Sequence, residues 1–232
     1  MSVEPLVVIL LTYERTEYTL RTIAAARKFL RYPDIRWYIA DDGSRMEHLD
    51  AVRDALRDER VCGEHWLVGG SYGASANRAW DFSHRVGRLT LWLEDDWELT
   101  RELDVRPYAD LLMDDDRLGM VRMGYLNLGM KGMTFGHRGT LYWWLKRPLA
   151  DGSEDAYVFT GHPSMRHWRM REWYGPYTEG RSPGETELDY AWQFITKGNG
   201  PGIVWPADLG SNGAFGHIGQ VQAVEFGSGV TA

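Results

Sequence analysis

Several features that stabilise or localise small proteins are scarce in this sequence. Cys62 is the only cysteine among 232 residues, so an internal disulfide is impossible and a disulfide scaffold is excluded. No apolar run approaches the ~20 residues that cross a bilayer; the longest spans residues 6–11. Basic residues are outnumbered, 26 Lys and Arg against 33 Asp and Glu, and the net charge of -7 argues against a surface that grips phosphate backbones throughout. A local basic patch stays compatible with it. Internal repeats and low-complexity stretches are also missing. The opening MSVEPLVVILLTYER has neither the basic n-region nor the small-residue cleavage site of a signal peptide, and a cytoplasmic location is expected.

What is present has an ordinary globular balance, 44% hydrophobic and 25% charged, in 26.6 kDa. That size suits one substantial core, and a single domain over residues 1–232 is expected. The 11 tryptophans supply stiff side chains of the kind that line sugar-binding surfaces, although core packing uses them as readily.

In the first half, short apolar runs alternate with helix-like stretches, the pattern of an α/β fold with a parallel sheet covered by helices. Residues 6–11 read as a buried strand, 16–30 as a helix, 35–40 as a strand ended by DDGS, and 46–56 as a helix. A short strand is expected at 65–68, a helix at 75–85 after GGSYGA, and a strand at 89–93 running into EDDW. Ligands of open α/β sheets bind beyond the carboxyl ends of strands, so DDGS and EDDW are expected to face one crevice. Beyond residue 100, Gly, Trp, Met and His are scattered among strand-like pieces at 140–145 and 157–160, with one helix at 187–197. The tail at 221–232 is expected to be mobile.

Glu94, Asp95 and Asp96 follow an apolar strand, and strand alternation points Glu94 and Asp96 one way and Asp95 the other. Hard divalent cations prefer carboxylate oxygens and bridge nucleotide phosphates, so this strand end suits Mg²⁺ or Mn²⁺ with a diphosphate. A solvated strand end is the plainer description. Asp41 and Asp42 offer acceptors for a base N–H or a ribose hydroxyl, or simply form a turn.

In order, TYERTEYTLRTIAA, IADDGS, GASANRAW and LWLEDDW resemble the nucleotide-binding half of glycosyltransferase family 2, over about Val7 to Trp97. The resemblance implies a GT-A fold, with residues 1–100 binding a nucleotide sugar and 101–220 forming the acceptor half. It implies a metal-dependent transferase that moves a sugar from a nucleotide diphosphate, UDP above all, to a hydroxyl or amine with inversion. Thr12 and Glu14 would then lie near the nucleobase, Tyr13 and Arg15 would also bind the donor, and Asp42 would bind base or ribose. Glu94, in place of the usual first Asp, and Asp95 would border the donor, and Asp96 would ligate the metal. Asn77 and Arg78 match the helix beside the donor, where Arg78 would neutralise diphosphate charge or stand as an exposed helix arginine.

Further on, GETELDYAWQFITKG resembles the family's acidic pair opening a helix that ends at Gly. Counting back from Gly198 puts Glu187 at the general base, with Thr186 replacing the usual first acid, Glu185 a rival base and Asp189 just beyond. All three acids are also residues that a helix N-terminus favours. His217, in SNGAFGHIG, resembles a metal-ligand histidine of GT-A enzymes and would complete the cage. TGHPSMRHW resembles an acceptor-side loop, where Trp168, Trp173 and Tyr174 would stack on a sugar or base and Arg166, Arg169 and Arg171 would meet an anion. Core aromatics and solvated arginines are the competing description.

Two other functions stay open at this point, a sugar nucleotidyltransferase and a non-catalytic glycan-binding module. The first normally carries a Gly-rich basic loop that TYERTEYT does not supply. The acceptor is equally open: a protein, a glycan, a lipid carrier, which the lack of a membrane-length apolar run disfavours, a small molecule, or a modified DNA base, which the net charge opposes.

Overall fold

Every residue of β1 (Leu6–Thr12) is buried, as expected of a strand with both faces covered. The structure, a computed structural model, describes residues 3–152, 154 and 157–219; the expected mobile tail lies outside the described residues. After β1 come α1 (Thr16–Phe29), β2 (Leu30–Arg31), β3 (Ile35–Asp41), α2 (Met46–Ala55), β4 (Val61–Trp66), α3 (Tyr72–Ser83) and β5 (Leu89–Glu94). The second half adds β6 (Trp97–Leu99), β7 (Leu103–Asp104), α4 (Arg106–Asp114), β8 (Leu118–Arg122), β9 (Lys131–His137) and β10 (Thr140–Leu145). It continues with β11 (Ser164–His167), α5 (Arg169–Tyr174), α6 (Pro183–Thr196), β12 (Gly202–Pro206) and β13 (Phe215–His217).

Nine strands form one sheet in the order β4-β3-β1-β5-β11-β8-β12-β10-β9. Only β11 and β10 run against the others, so the sheet is mostly parallel, with helices packed on it. Helix α1 turns Thr19, Thr22, Ile23 and Ala26 inward, the i, i+3, i+4, i+7 spacing of an amphipathic helix. Among the described residues no helix is long and apolar enough to cross a membrane.

Two expectations are corrected. The third strand lies at Val61–Trp66, not 65–68, because β4 is the sheet's edge; its half-exposed sequence VCGEHW has no apolar run to reveal it. Residues 157–160 are not a strand. Their carbonyls are taken by two buried guanidinium groups, with Arg122 Nη1 donating to Tyr157 O (3.0 Å) and Val158 O (2.9 Å), and Arg166 Nη2 to Thr160 O (3.1 Å). Side chains replace the ladder there and free the segment to bend.

Gly213 lets the chain pass against Met123 and Gly124 before β13, which pairs with β6. Its φ is +69°, and a Cβ there would sit 1.3 Å from Gly124 O. Gly213→Ala is expected to destabilise the fold by about 3 kcal/mol or more through strain and overlap. A urea midpoint within error of the parent would exclude that account.

Candidate functional site

Parallel pairing sets Thr12 beside Asp41, and Leu11 beside Glu94, so the carboxyl ends of β1, β3 and β5 form one edge. The Asp42 N–H donates to Thr12 O (3.2 Å), while the Tyr13 N–H donates to Asp95 Oδ2 (3.2 Å). Thr12 and Tyr13 thus join the two acidic turns. The Thr12 hydroxyl also contacts His48 Nε2 at 2.8 Å and Thr19 Oγ1 at 3.0 Å, which fixes the turn against α1 and α2.

The expected alternation of the acidic triplet does not hold, because β5 ends at Glu94 and residues 95–96 form a turn. Asp95 and Asp96 instead share the Arg15 guanidinium: Nη2 pairs with Asp95 Oδ1, and Nη1 donates to Asp96 Oδ2 at 2.7 Å. Glu94 accepts from the Tyr72 hydroxyl at 3.0 Å. A Cβ on Gly161 would fall 2.5 Å from Glu94 Oε1, so a larger residue there would displace that carboxyl from its place under the 157–162 segment. The Gly161 N–H in turn donates to Glu187 on α6. This one glycine links the acids of the two halves.

Burial is the main electrostatic force here. It lifts Glu94 to about 8, reinforced by Glu187 and Asp96, and Asp95 to about 7 against the opposing pull of Arg15. Glu187 is also raised by burial, opposed by the Gly161 N–H and by the Arg166 and Arg122 cations. Asp42 rises to about 6 through burial, opposed by a hydrogen bond from Ser75, and its Oδ1 is buried without a partner.

Other named residues are placed elsewhere. Glu185 closes a capping box with Ser182, accepting from the Ser182 N–H (3.1 Å) and hydroxyl (2.6 Å), and is exposed. Asp189 pairs with Arg181 at 3.0 Å. Thr186, in place of the family's first acid, is fully buried and donates to Thr178 O; a carboxylate there would lie in the core. Glu14 binds Arg45, accepting from its N–H (2.7 Å) and Nε (3.0 Å). Asn77 holds the segment at Tyr177, donating to Tyr177 O (3.0 Å) and accepting from its N–H (2.8 Å). Arg78 is exposed on the wall of an 810 Å³ cavity beside the edge strand, with Tyr38, His65 and Arg85.

The proposed acceptor-side residues separate as well. β11 pairs Ser164 with Trp92 and His167 with Leu89, so it runs away from Glu94 and delivers α5 to the opposite end of the sheet. Trp173, 51% exposed, lines a 460 Å³ cavity there with Arg169, and Trp168 stacks on His84 at 4.0 Å. Arg166 is fully buried over Trp92, 4.2 Å from its ring. Cavities of 460, 810 and 290 Å³ all lie outside the carboxylate cluster, and Arg15 packs into the cluster itself.

β13 pairs His217 with Trp97, and the Ile218 N–H donates to Asp96 O (2.8 Å). This clasp brings His217 Nε2 to 3.2 Å from Asp96 Oδ2. Adjacent ligands of a six-coordinate cation with bonds of about 2.1 Å lie about 3 Å apart, so the pair fits Mg²⁺ or Mn²⁺ as two of its ligands. Among the described residues no group of three or more His, Cys, Asp or Glu side chains could hold a metal. A cation held by Asp96 and His217 would need further ligands from outside these two side chains.

The sequence does not mark Tyr72, Gly161 or Arg122, and Arg166, expected to meet an anion, is instead buried and donates to Thr160 O. The capping box was readable, since Ser182-x-x-Glu185 is its signature and assigns Glu185 a structural task.

No family model and no curated protein matches the sequence. Solved structures match in fold. S. aureus TarS 1-349 in complex with UDP-GlcNAc superposes with a TM-score of 0.62 at 14% identity, over 94% of this chain and 61% of that one. The same protein with UDP gives 0.60 at 15%, over 91% and 59%. Mannosyltransferase PcManGT from Pyrobaculum calidifontis, in complex with GDP-Man and Mn²⁺, gives 0.52 at 13%, over 77% and 48%. The chain spans about three-fifths of the TarS 1-349 length. The fold of this chain is the GT-A fold.

Proposed function

We propose that the protein is a metal-dependent glycosyltransferase that moves a sugar from a nucleotide diphosphate, preferentially UDP, to an acceptor hydroxyl or amine with inversion. The observation that carries this reading is the meeting of Glu94, Asp95 and Asp96 with Glu187 at the carboxyl edge of β1, β3 and β5. The ligands of the fold neighbours, UDP-GlcNAc and GDP-Man, are nucleotide sugars and support the donor class.

Glu187 takes the proton of the acceptor as it attacks the anomeric carbon, and the nucleotide diphosphate departs from the opposite face. The Gly161 N–H orients the Glu187 carboxylate for this task. Asp42 accepts from the nucleobase or ribose, beside Thr12, whose carbonyl accepts from the Asp42 N–H. Asp96 and His217 would hold a divalent cation, which when bound neutralises charge on the leaving diphosphate. Arg15 and His217 converge on the same Asp96 Oδ2, so Arg15 must yield that oxygen when a cation arrives.

Asp96→Ala is therefore expected to weaken UDP binding at least tenfold in Mn²⁺ and to remove its response to EDTA. Calorimetric titration of UDP with and without Mn²⁺ reads both quantities. An Asp96→Ala protein with parental affinity and parental EDTA response would refute the metal assignment.

A further inference from the structure

Four rings meet beside the Asp96–His217 pair. Trp97 of β6 is buried, with the His162 ring 4.7 Å and the His217 ring 5.0 Å from its own. Tyr125 lies over the same group, 4.5 Å from His162 and stacked toward Trp97 at 6.3 Å. His162 follows Gly161, whose N–H donates to Glu187, and His217 contacts Asp96. The cluster therefore runs from the residue assigned as base to the pair assigned to the cation.

Tyr125 is 55% exposed, yet its place is fixed. Arg122, itself buried, donates from the single nitrogen Nη2 to Tyr125 O (3.1 Å) and to His162 Nδ1 (3.3 Å). A guanidinium only donates, so Nδ1 accepts and the His162 ring beneath Tyr125 is neutral. The next residue is tied down as well, since the Leu126 N–H donates to Ser211 O (2.9 Å). Gly124 lets the chain lie close on this support, because a Cβ there would sit 3.0 Å from His162 Cβ. A large ring is thus held rigidly from behind and left open to water in front.

A pyranose turns C–H groups to its faces and hydroxyls to its rim. Its C–H face suits the electron-rich face of a phenol ring, and a sugar lying on Tyr125 carries its rim hydroxyls along the cluster toward Glu187. A lysine amine suits the place less, because the Arg122 cation stands behind the ring.

We propose that Tyr125 is the platform for the acceptor, and that the acceptor is a pyranose whose face stacks on this ring while Arg122, His162 and Trp97 position it. The inference rests on the reading of Glu187 as the base of a sugar transfer and narrows its acceptor to a carbohydrate.

Saturation-transfer NMR of the full chain with UDP and Mn²⁺ tests it, using the methyl pyranosides of glucose, galactose, mannose and N-acetylglucosamine, with a serine peptide and a lysine peptide for comparison. At least one pyranoside is expected to bind, with saturation strongest on the ring protons of one face. Tyr125→Ala should weaken that sugar about tenfold, whereas Tyr125→Phe and Tyr125→Trp, which keep a ring, should bind it within about threefold of the parent. UDP affinity, read by calorimetry on the same variants, is expected to stay within about twofold, as for a separate subsite. A parent that binds UDP but no pyranoside overturns the platform, and so does a Tyr125→Ala protein that binds the sugar as the parent does. Preference for either peptide over every pyranoside overturns it too. An equal loss of sugar and UDP in Tyr125→Ala marks a structural role and has the same consequence. A parent that fails to bind UDP at all instead removes the transferase reading, and the platform falls with it.

Discussion

Glu187→Gln is expected to lower sugar transfer by about 10²- to 10⁴-fold and to leave UDP affinity within about twofold. The amide has nearly the shape of the carboxylate, and its oxygen still accepts from the Gly161 N–H, so the junction between the 157–162 segment and α6 survives. What disappears is the lone pair that removes the acceptor proton. Burial raises the Glu187 pKa, which makes it a stronger base near neutrality, while Arg166 and Arg122 restrain the rise. In the parent, turnover should fall as pH drops through that raised value, because a protonated Glu187 accepts nothing. UDP release from UDP-GlcNAc, with and without candidate acceptors, measures the rate. Product NMR at the anomeric centre reads the stereochemistry. A Gln variant within tenfold of the parent would move the base elsewhere, and a retained anomeric configuration would overturn the single displacement.

Glu94→Gln should stabilise the metal-free protein at alkaline pH and do nothing at acid pH. The unfolded chain releases this proton near 4.5, whereas the folded protein keeps it to about 8. Between those values the folded state holds a proton that the unfolded state has lost. The stability contributed by Glu94 is therefore fully present below pH 4.5 and is lost as pH rises toward 8. Glutamine cannot ionise, and its carbonyl still accepts from the Tyr72 hydroxyl. In EDTA the variant's margin over the parent should open from about 1 kcal/mol at pH 5 to roughly 4 kcal/mol at pH 8.5, read as a widening gap in Tm. Asp95, lifted to about 7, has the same sign but is common to both proteins. Parallel Tm curves across pH 5 to 8.5 would show that Glu94 is ionised throughout.

Much of the nucleotide-side half is legible without coordinates. β1, β3 and β5 are buried over most of their length, so they surface as mainly apolar stretches, and acids stand at or just beyond their carboxyl ends. β4 escapes notice because an edge strand needs no such run. The choice between Glu185 and Glu187 is half legible. The capping box identifies one acid by local chemistry, but that Glu187 faces Gly161 depends on a segment 26 residues away.

Local order, then, is what the amino-acid string determined by itself: the α/β alternation, the strand ends and the acids standing on them, all consequences of side-chain period and burial within a short window. The tertiary structure decided which of those acids share space. Arg15 meets Asp96 across 81 residues of chain and His217 meets it across 121, and no periodicity carries such pairings. Contacts of that span depend on how the sheet is ordered, and the site's charges take their values from the burial that the ordering imposes.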